Sequence, residues 1–309
     1  SDDDGNLIGV SGISKGNKKI NLFASNVVLA SGGFEGNSEM LSHYIGPQAQ
    51  FIRPVSRGGH YNRGEGIQMA LEAGAASCGD FSSFHAQPVD PRSKDMEPVV
   101  LNYSYGLLIN ESGIRFTDEA PALVDSTYEA VTRIIMQQKN GIGFAVFDNK
   151  LDDIDNWNAT VRTRVAPYQA NTLEELASLI QIPSEEFLRT VNDFNNACPD
   201  NQSDFDPLKP DGLRTDGLPL QKSNWSRPLT EAPFRAWPII CSNCFTFGGI
   251  KIDERARVIN TEGDVIPGLY AAGEVAGIYY RTYTGATSVM RGAVTGRLAG
   301  NDASLRRNS

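Results

Sequence analysis

Between Pro267 and Gly300 the sequence gathers residues suited to holding an anionic, ring-bearing ligand. Leu269 to Ala272 is a short apolar run that predicts a buried strand. Gly273 to Gly277 then lets the backbone turn tightly, with one carboxylate, Glu274, at the strand's end. Gly285-Ala286-Thr287-Ser288 opens a segment closing on Gly296-Arg297-Leu298-Ala299-Gly300, with small residues at helical spacing and a hydroxyl at its start. A helix N-terminus carries roughly half a positive charge, so free N–H groups at the start of this segment would stabilise negative charge without a lysine. The same residues also suit an ordinary strand-turn-helix unit, and glycine patterns alone do not choose between the two.

Three further groupings carry possible chemistry. Arg57-Gly58-Gly59-His60-Tyr61-Asn62-Arg63 places three potentially cationic side chains among glycines, able to fold around a carboxylate or cofactor, or to stand as a solvated basic loop. His85, in Phe84-His85-Ala86-Gln87-Pro88, reads as a structural histidine more readily than as a catalyst. Cys241-Ser242-Asn243-Cys244 is a lone C-x-x-C, with Cys78 and Cys198 too scattered to complete a metal site; two partly buried thiols and no metal are expected.

The elements that must position these residues read as an α/β chain. Ser1 to Asn6 is turn-rich, and strand-like runs at Leu7 to Ile13 and Lys19 to Phe23 predict a hairpin across Lys15-Gly16-Asn17. Asn26 to Phe34 reads as a buried strand ending in a glycine turn, as in a parallel sheet. Helices are predicted from Asn37 to Tyr44 and from Gly64 or Glu65 to Ala76. From Phe84 to about Phe245 the pattern changes to short strands (Val99 to Asn102, Gly106 to Asn110, Phe144 to Asp148), polar loops and helices (Leu173 to Ile180, Glu185 to Ala197). A hairpin from Gly248 to Ile259 then returns to the first pattern.

At 309 residues the chain accommodates about two domains. A formal charge of -9 without a basic stripe excludes nucleic acid as a natural partner. No apolar run reaches the roughly 18 residues of a membrane helix and no signal peptide precedes the first strand, so a cytoplasmic protein is expected.

Ile266-Pro267-Gly268-Leu269-Tyr270-Ala271-Ala272-Gly273-Glu274 followed by Thr295-Gly296-Arg297-Leu298-Ala299-Gly300 resembles the C-terminal flavin-binding segment of the fumarate reductase and succinate dehydrogenase flavoprotein superfamily. Val27 to Phe34 resembles its V-V-L-A-T-G-G-F. The resemblance implies FAD as cofactor, with Glu274 on the ribityl chain, Gly273 beside it, and Ala30, Ser31 and Gly32 along the dinucleotide. It also implies that the backbone of Thr287, Ser288 and Val289 faces the flavin pyrimidine. The implied fold is the remainder of a Rossmann-like FAD-binding domain (1–80 and 246–309) with an inserted α+β capping domain (81–245). The superfamily's opening G-x-G-x-x-G is not found, Gly64-Glu65-Gly66 being only a partial echo, and a truncated chain is the expectation. Gly113 to Glu119 resembles the family's G-x-R-F-x-N-E, which makes Arg115 and Glu119 expected anchors of the cap.

Three departures set the chemistry apart from fumarate reduction. The arginine proton donor is missing from Ala120 to Val124, Phe245 stands where the family has a histidine, and Tyr283 stands where it has a substrate arginine. Tyrosine near that position is a feature of the ketosteroid and tricarballylate dehydrogenase branches, and the basic-Tyr-Asn loop and Trp225-x-Arg227-Pro228-Leu229 are most similar to the latter. The implied activity is desaturation or reduction of a C–C bond next to a carboxylate, with a 3-ketosteroid-type or fumarate reductase-like enzyme, or a non-catalytic fragment, as alternatives. Tyr283, His85 and Arg281 are then the catalytic candidates, and Arg57, His60, Arg63 and Phe245 line a polycarboxylate or keto substrate. Reduced flavin would need a separate acceptor, which in the tricarballylate system is a membrane iron–sulfur protein. No iron–sulfur ligand set occurs in this sequence.

Overall fold

The computed structural model describes residues 7–306, so the turn expected over Ser1 to Asn6 lies outside the described residues. Its chain divides into two compact units, one made of residues up to Ala49, Arg57–His85 and Cys244 onward, the other of Gln50–Ser56 and Ala86–Asn243.

The first unit opens with β1 (Gly9–Ile13) and β2 (Lys19–Phe23), paired antiparallel with Gly9 opposite Phe23. Strand β3 is only Val27–Leu29, shorter than its apolar run suggests. Gly32 takes φ +81°, a conformation glycine adopts without strain, and the chain leaves the ladder before Phe34. Helix α1 (Ser38–Ile45) begins where the Asn37 side chain accepts the N–H groups of Glu39 and Met40, and it buries Met40 and Leu41. Helix α2 (Glu65–Glu72) stops earlier than predicted, because the backbone reverses at Gly74 with φ +90°.

Strand β4 (Ser77–Cys78) pairs with β5 (Gly249–Ile250). Strand β6 (Arg257–Ile259) pairs antiparallel with β7 (Val265–Ala271), and β7 pairs parallel with β3, Ala271 opposite Leu29. The hairpin expected from Gly248 to Ile259 is present as the bridge between Ile252 and Val258. Helix α3 (Ser288–Arg306) closes the unit, with Arg291, Thr295 and Ala299 on its buried side. Leu29, Phe34, Ile67, Leu269 and Val275 meet in one apolar core.

In the second unit the strand Phe234–Thr246 carries the sheet, and its last three residues belong to the first unit. It pairs antiparallel with Ile142–Phe147, which in turn pairs with Leu107–Asn110. Helices Leu173–Leu179 and Ser184–Ala197 bury Leu176, Phe187, Val191 and Phe194 against Leu107 and Phe144. The first of them starts on a capping box of Thr172 and Glu175.

A helix at Val124–Met136 was not expected. It buries Val131, Thr132, Ile135 and Met136, and no side chain caps its start. The strand expected from Val99 to Asn102 reduces to single bridges at Val99 and Val100, after which Asn102–Tyr105 coils into a 3₁₀ turn.

Arg115 forms a two-pronged ion pair with Glu119, at 3.0 and 2.7 Å, and also donates to the Leu220 carbonyl. The pair is buried beside Lys222, whose ammonium burial pushes down to about 8. Cys241 is buried and Cys244 partly so, and neither is in a disulfide. Three residues apart on one strand, they point to opposite faces. Among the described residues no cluster of His, Cys, Asp and Glu could hold a metal ion.

Candidate flavin site and its aromatic wall

Because β3 and β7 run parallel and in register, their C-terminal ends emerge side by side, and the Ala272 N–H reaches the Leu29 carbonyl at 2.9 Å. That edge is where ligands bind in open parallel sheets. Ala30 and Ser31 follow one strand and are exposed, and the partly buried Gly273 and Glu274 follow the other. Gly273 takes φ +73°, and a Cβ added there would meet only the Cα of Gly292 on α3, at 3.9 Å. Its N–H is fixed by the hydroxyl of Thr295, 3.0 Å away.

The Glu274 side chain is turned toward the first unit's interior. One oxygen accepts the Thr246 N–H at 2.6 Å and the Thr246 hydroxyl at 3.1 Å. Burial raises this carboxyl above the ordinary range, while those donors and the Arg291 charge oppose the rise. Gly33 has to be glycine, since a Cβ would come within 2.1 Å of both the Glu274 carboxylate and the Thr246 hydroxyl. Glu35, two residues on, is buried, accepts from Asn62 at 2.5 Å and is pushed up to about 8, by burial first and by the Glu274 charge second.

Helix α3 begins differently from the expectation. The Tyr283 hydroxyl oxygen accepts the N–H groups of Thr287 at 3.0 Å and Ser288 at 3.3 Å. Two of the donors expected to face a flavin ring are therefore engaged by a side chain, while Val289 stands exposed beside them. The Tyr279 hydroxyl bonds the Thr287 hydroxyl at 2.7 Å and tightens the same turn.

Tyr283 also belongs to an aromatic cluster. Its ring lies 4.4 Å from the His85 ring and 5.1 Å, edge-on, from Phe245. Phe245 further contacts Phe247 and Tyr279. The Arg291 guanidinium lies over both Phe245 and Tyr279, 5.2 and 4.7 Å from their centroids, and burial lowers its pKa. His85, Phe245 and Tyr283 thus come together from three distant parts of the chain.

The other candidates do not join this cluster. Arg57, His60 and Arg63 lie on or beside the 3₁₀ turn Arg57–Tyr61 and are exposed. Arg281 is exposed at φ +61°, and its backbone rather than its side chain is held, by Asp80 and Ser83. Sequence reasoning missed Arg291, Glu35, Asn62, Thr246 and Tyr279. For Arg291 a signal existed: an arginine among small residues on a helix that follows a glycine–glutamate turn.

Residues 2–289 match the FAD binding domain family. The chain belongs to that family. It is an α/β protein with a Rossmann-like FAD-binding domain and an inserted α+β unit, and its cofactor is FAD. The small residues at the two strand ends, and the one carboxylate beside them, fit a dinucleotide carrying ribityl hydroxyls. The chain is 30% identical to the NADH:acrylate oxidoreductase of Vibrio harveyi, over 98% of its own length and 29% of that protein. It is 26% identical to the vinyl phenol reductase of Lactiplantibacillus plantarum, over 83% of its length and 55% of that protein. A flavocytochrome c3 fumarate reductase in its open conformation superposes with a TM-score of 0.77 at 25% identity, over 98% of this chain and 50% of that one. The chain thus spans less than two thirds of these relatives. Among the described residues no helix is long and apolar enough to cross a membrane.

Proposed function

We propose that this chain is the flavin- and substrate-binding part of an oxidoreductase that reduces a carbon–carbon double bond conjugated to a carboxylate, carbonyl or aromatic ring. The observation that carries the reading is the aromatic cluster of His85, Phe245, Phe247 and Tyr279, buried behind the half-buried Tyr283, which offers rings and a phenol rather than a set of cations beside the strand ends. Arg57, His60, Arg63 and Arg281, nominated for a polycarboxylate, are exposed, and Arg291 is stacked on rings. This favours a substrate with one acceptor and a planar body over a tricarballylate-like one. The names of two relatives, an acrylate and a vinyl phenol reductase, point the same way.

When bound, FAD supplies the hydride. The chain's own residues supply position and a proton. With two backbone donors on the Tyr283 oxygen, its hydroxyl proton is left to donate, to the Ser288 hydroxyl at 3.2 Å or to a substrate acceptor. His85 and Phe245 hold the phenol ring from two sides. Glu274 would hold the ribityl hydroxyls, and Ala30, Ser31 and Gly32 would lie along the dinucleotide. The electrons come from a separate redox partner.

The test is anaerobic reoxidation of the reduced, FAD-loaded chain by acrylate, by a vinyl phenol and by a tricarboxylate alkene. Reoxidation by either of the first two, and not by the third, is expected. Reoxidation by the tricarboxylate alone would restore the polycarboxylate reading, and failure to take up FAD would leave a non-catalytic fold.

A further inference from the structure

We propose that Glu35 and Glu274 share one proton, carried by Glu35, and that this acid–carboxylate pair holds Glu274 in position for the flavin's ribityl chain, so that FAD is retained while the proton is present and released when it leaves. The proposal rests on the flavin reading above.

The geometry leaves Glu35 incomplete without that proton. The residue is 3% exposed. Oxygen Oε1 accepts from Asn62 at 2.5 Å, whereas Oε2 is buried with no hydrogen-bond partner. An ionised carboxylate with one buried oxygen unpaired is costly, and the acidic group beside it, Glu274, makes it costlier. A proton on Oε2 turns the orphaned acceptor into a donor, with Glu274 its natural acceptor. Of the two, Glu274 is the one equipped to stay ionised. It accepts from the N–H and hydroxyl of Thr246 and is faced by the Arg291 charge.

The arrangement has little freedom to relax. Gly33 packs directly on the Glu274 oxygen, and a Cβ at Gly32 would strike the Asn62 side chain at 2.8 Å. The Gly36 N–H ties the Asn62 carbonyl at 2.8 Å. The other charged groups on the packing elements, His60 and Arg63 on the loop of Asn62 and Glu39 and His43 on α1, are exposed. Arg291 on α3 acts on Glu274.

The test follows FAD binding by the wild-type chain from pH 6 to 9.5 through quenching of flavin fluorescence. Alongside it, the infrared carbonyl band of protonated carboxyl groups is titrated in the ligand-free chain with labelled glutamate. The wild type is expected to hold FAD steadily below about pH 7 and about tenfold more weakly one pH unit above the ionisation of Glu35. The acid band should fade over the same interval. Glu35→Gln, which keeps a donor toward Glu274 and an acceptor toward Asn62, should bind with no such pH dependence and lack the band. Wild-type binding that does not change with pH, or no acid band at pH 6, overturns the proposal while leaving the flavin site standing. If no FAD binds at any pH, the flavin reading falls and takes the retention role with it. The infrared titration still decides the shared proton if Glu35→Gln does not fold.

Discussion

The Tyr283 hydroxyl oxygen lies 3.0 Å from the Thr287 amide and caps α3 from a position five residues before the helix starts. One atom therefore does two jobs. It satisfies orphaned helix donors, and it holds a phenol at the mouth of the aromatic cluster.

Tyr283→Phe separates the two jobs. Losing the cap should cost about 1 kcal/mol of stability, the usual scale for a helix cap. Losing the proton donor should lower kcat by about a hundredfold or more with KM little changed. A rise in KM with kcat unchanged would assign the residue to binding instead.

Gly33→Ala tests the packing under Glu274. The added methyl would stand 2.1 Å from a carboxylate and a hydroxyl that hold each other, so it must push Thr246 and Glu274 apart. A loss of about 1–3 kcal/mol by chemical denaturation is expected, the range for overpacking, with weakened FAD uptake.

How far the site could be read from sequence depended on distance along the chain. The strand read from Leu269 to Ala272, the turn after it and the helical segment closing at Gly300 were legible because apolar runs and glycine punctuation are local signals, although the strand starts earlier, at Val265, and the helix runs on to Arg306. The meeting of His85 with Tyr283 was not, since 198 positions separate them and only tertiary packing joins them. Glu35 reads in sequence as a loop carboxylate; its burial comes from Asn62 and Glu274, which arrive from elsewhere. The strand Phe234–Thr246 was hidden by Pro238 and by its mixture of polar and apolar residues.

Arg291→Met removes a charge while keeping much of the apolar stem. The guanidinium over Phe245 and Tyr279 is desolvated, where a cation over rings contributes about 2 kcal/mol. The change also strips Glu274 of its facing cation. Lysine should not rescue it, because the stacked planar group is what the rings accept. Urea denaturation of both variants checks this, and equal stability of Arg291→Lys and wild type would count against it.

The raised pKa of Glu35 fixes the sign of a stability trend. An unfolded glutamate loses its proton near 4.5, whereas the folded one keeps it until about 8. Between those values the folded state binds more protons than the unfolded one, so stability is greatest below about pH 4.5 for this group and declines as pH rises toward 8. At about 1.4 kcal/mol for each pH unit between the two values, the full decline is on the order of 3–5 kcal/mol. Glu35→Gln cannot ionise and should flatten the curve, so that the variant overtakes wild type somewhere between pH 5 and 8. Thermal melts of both chains at half-unit steps would show the crossing. Parallel curves would mean that Glu35 is already ionised in the folded protein, and that another donor reaches its buried oxygen.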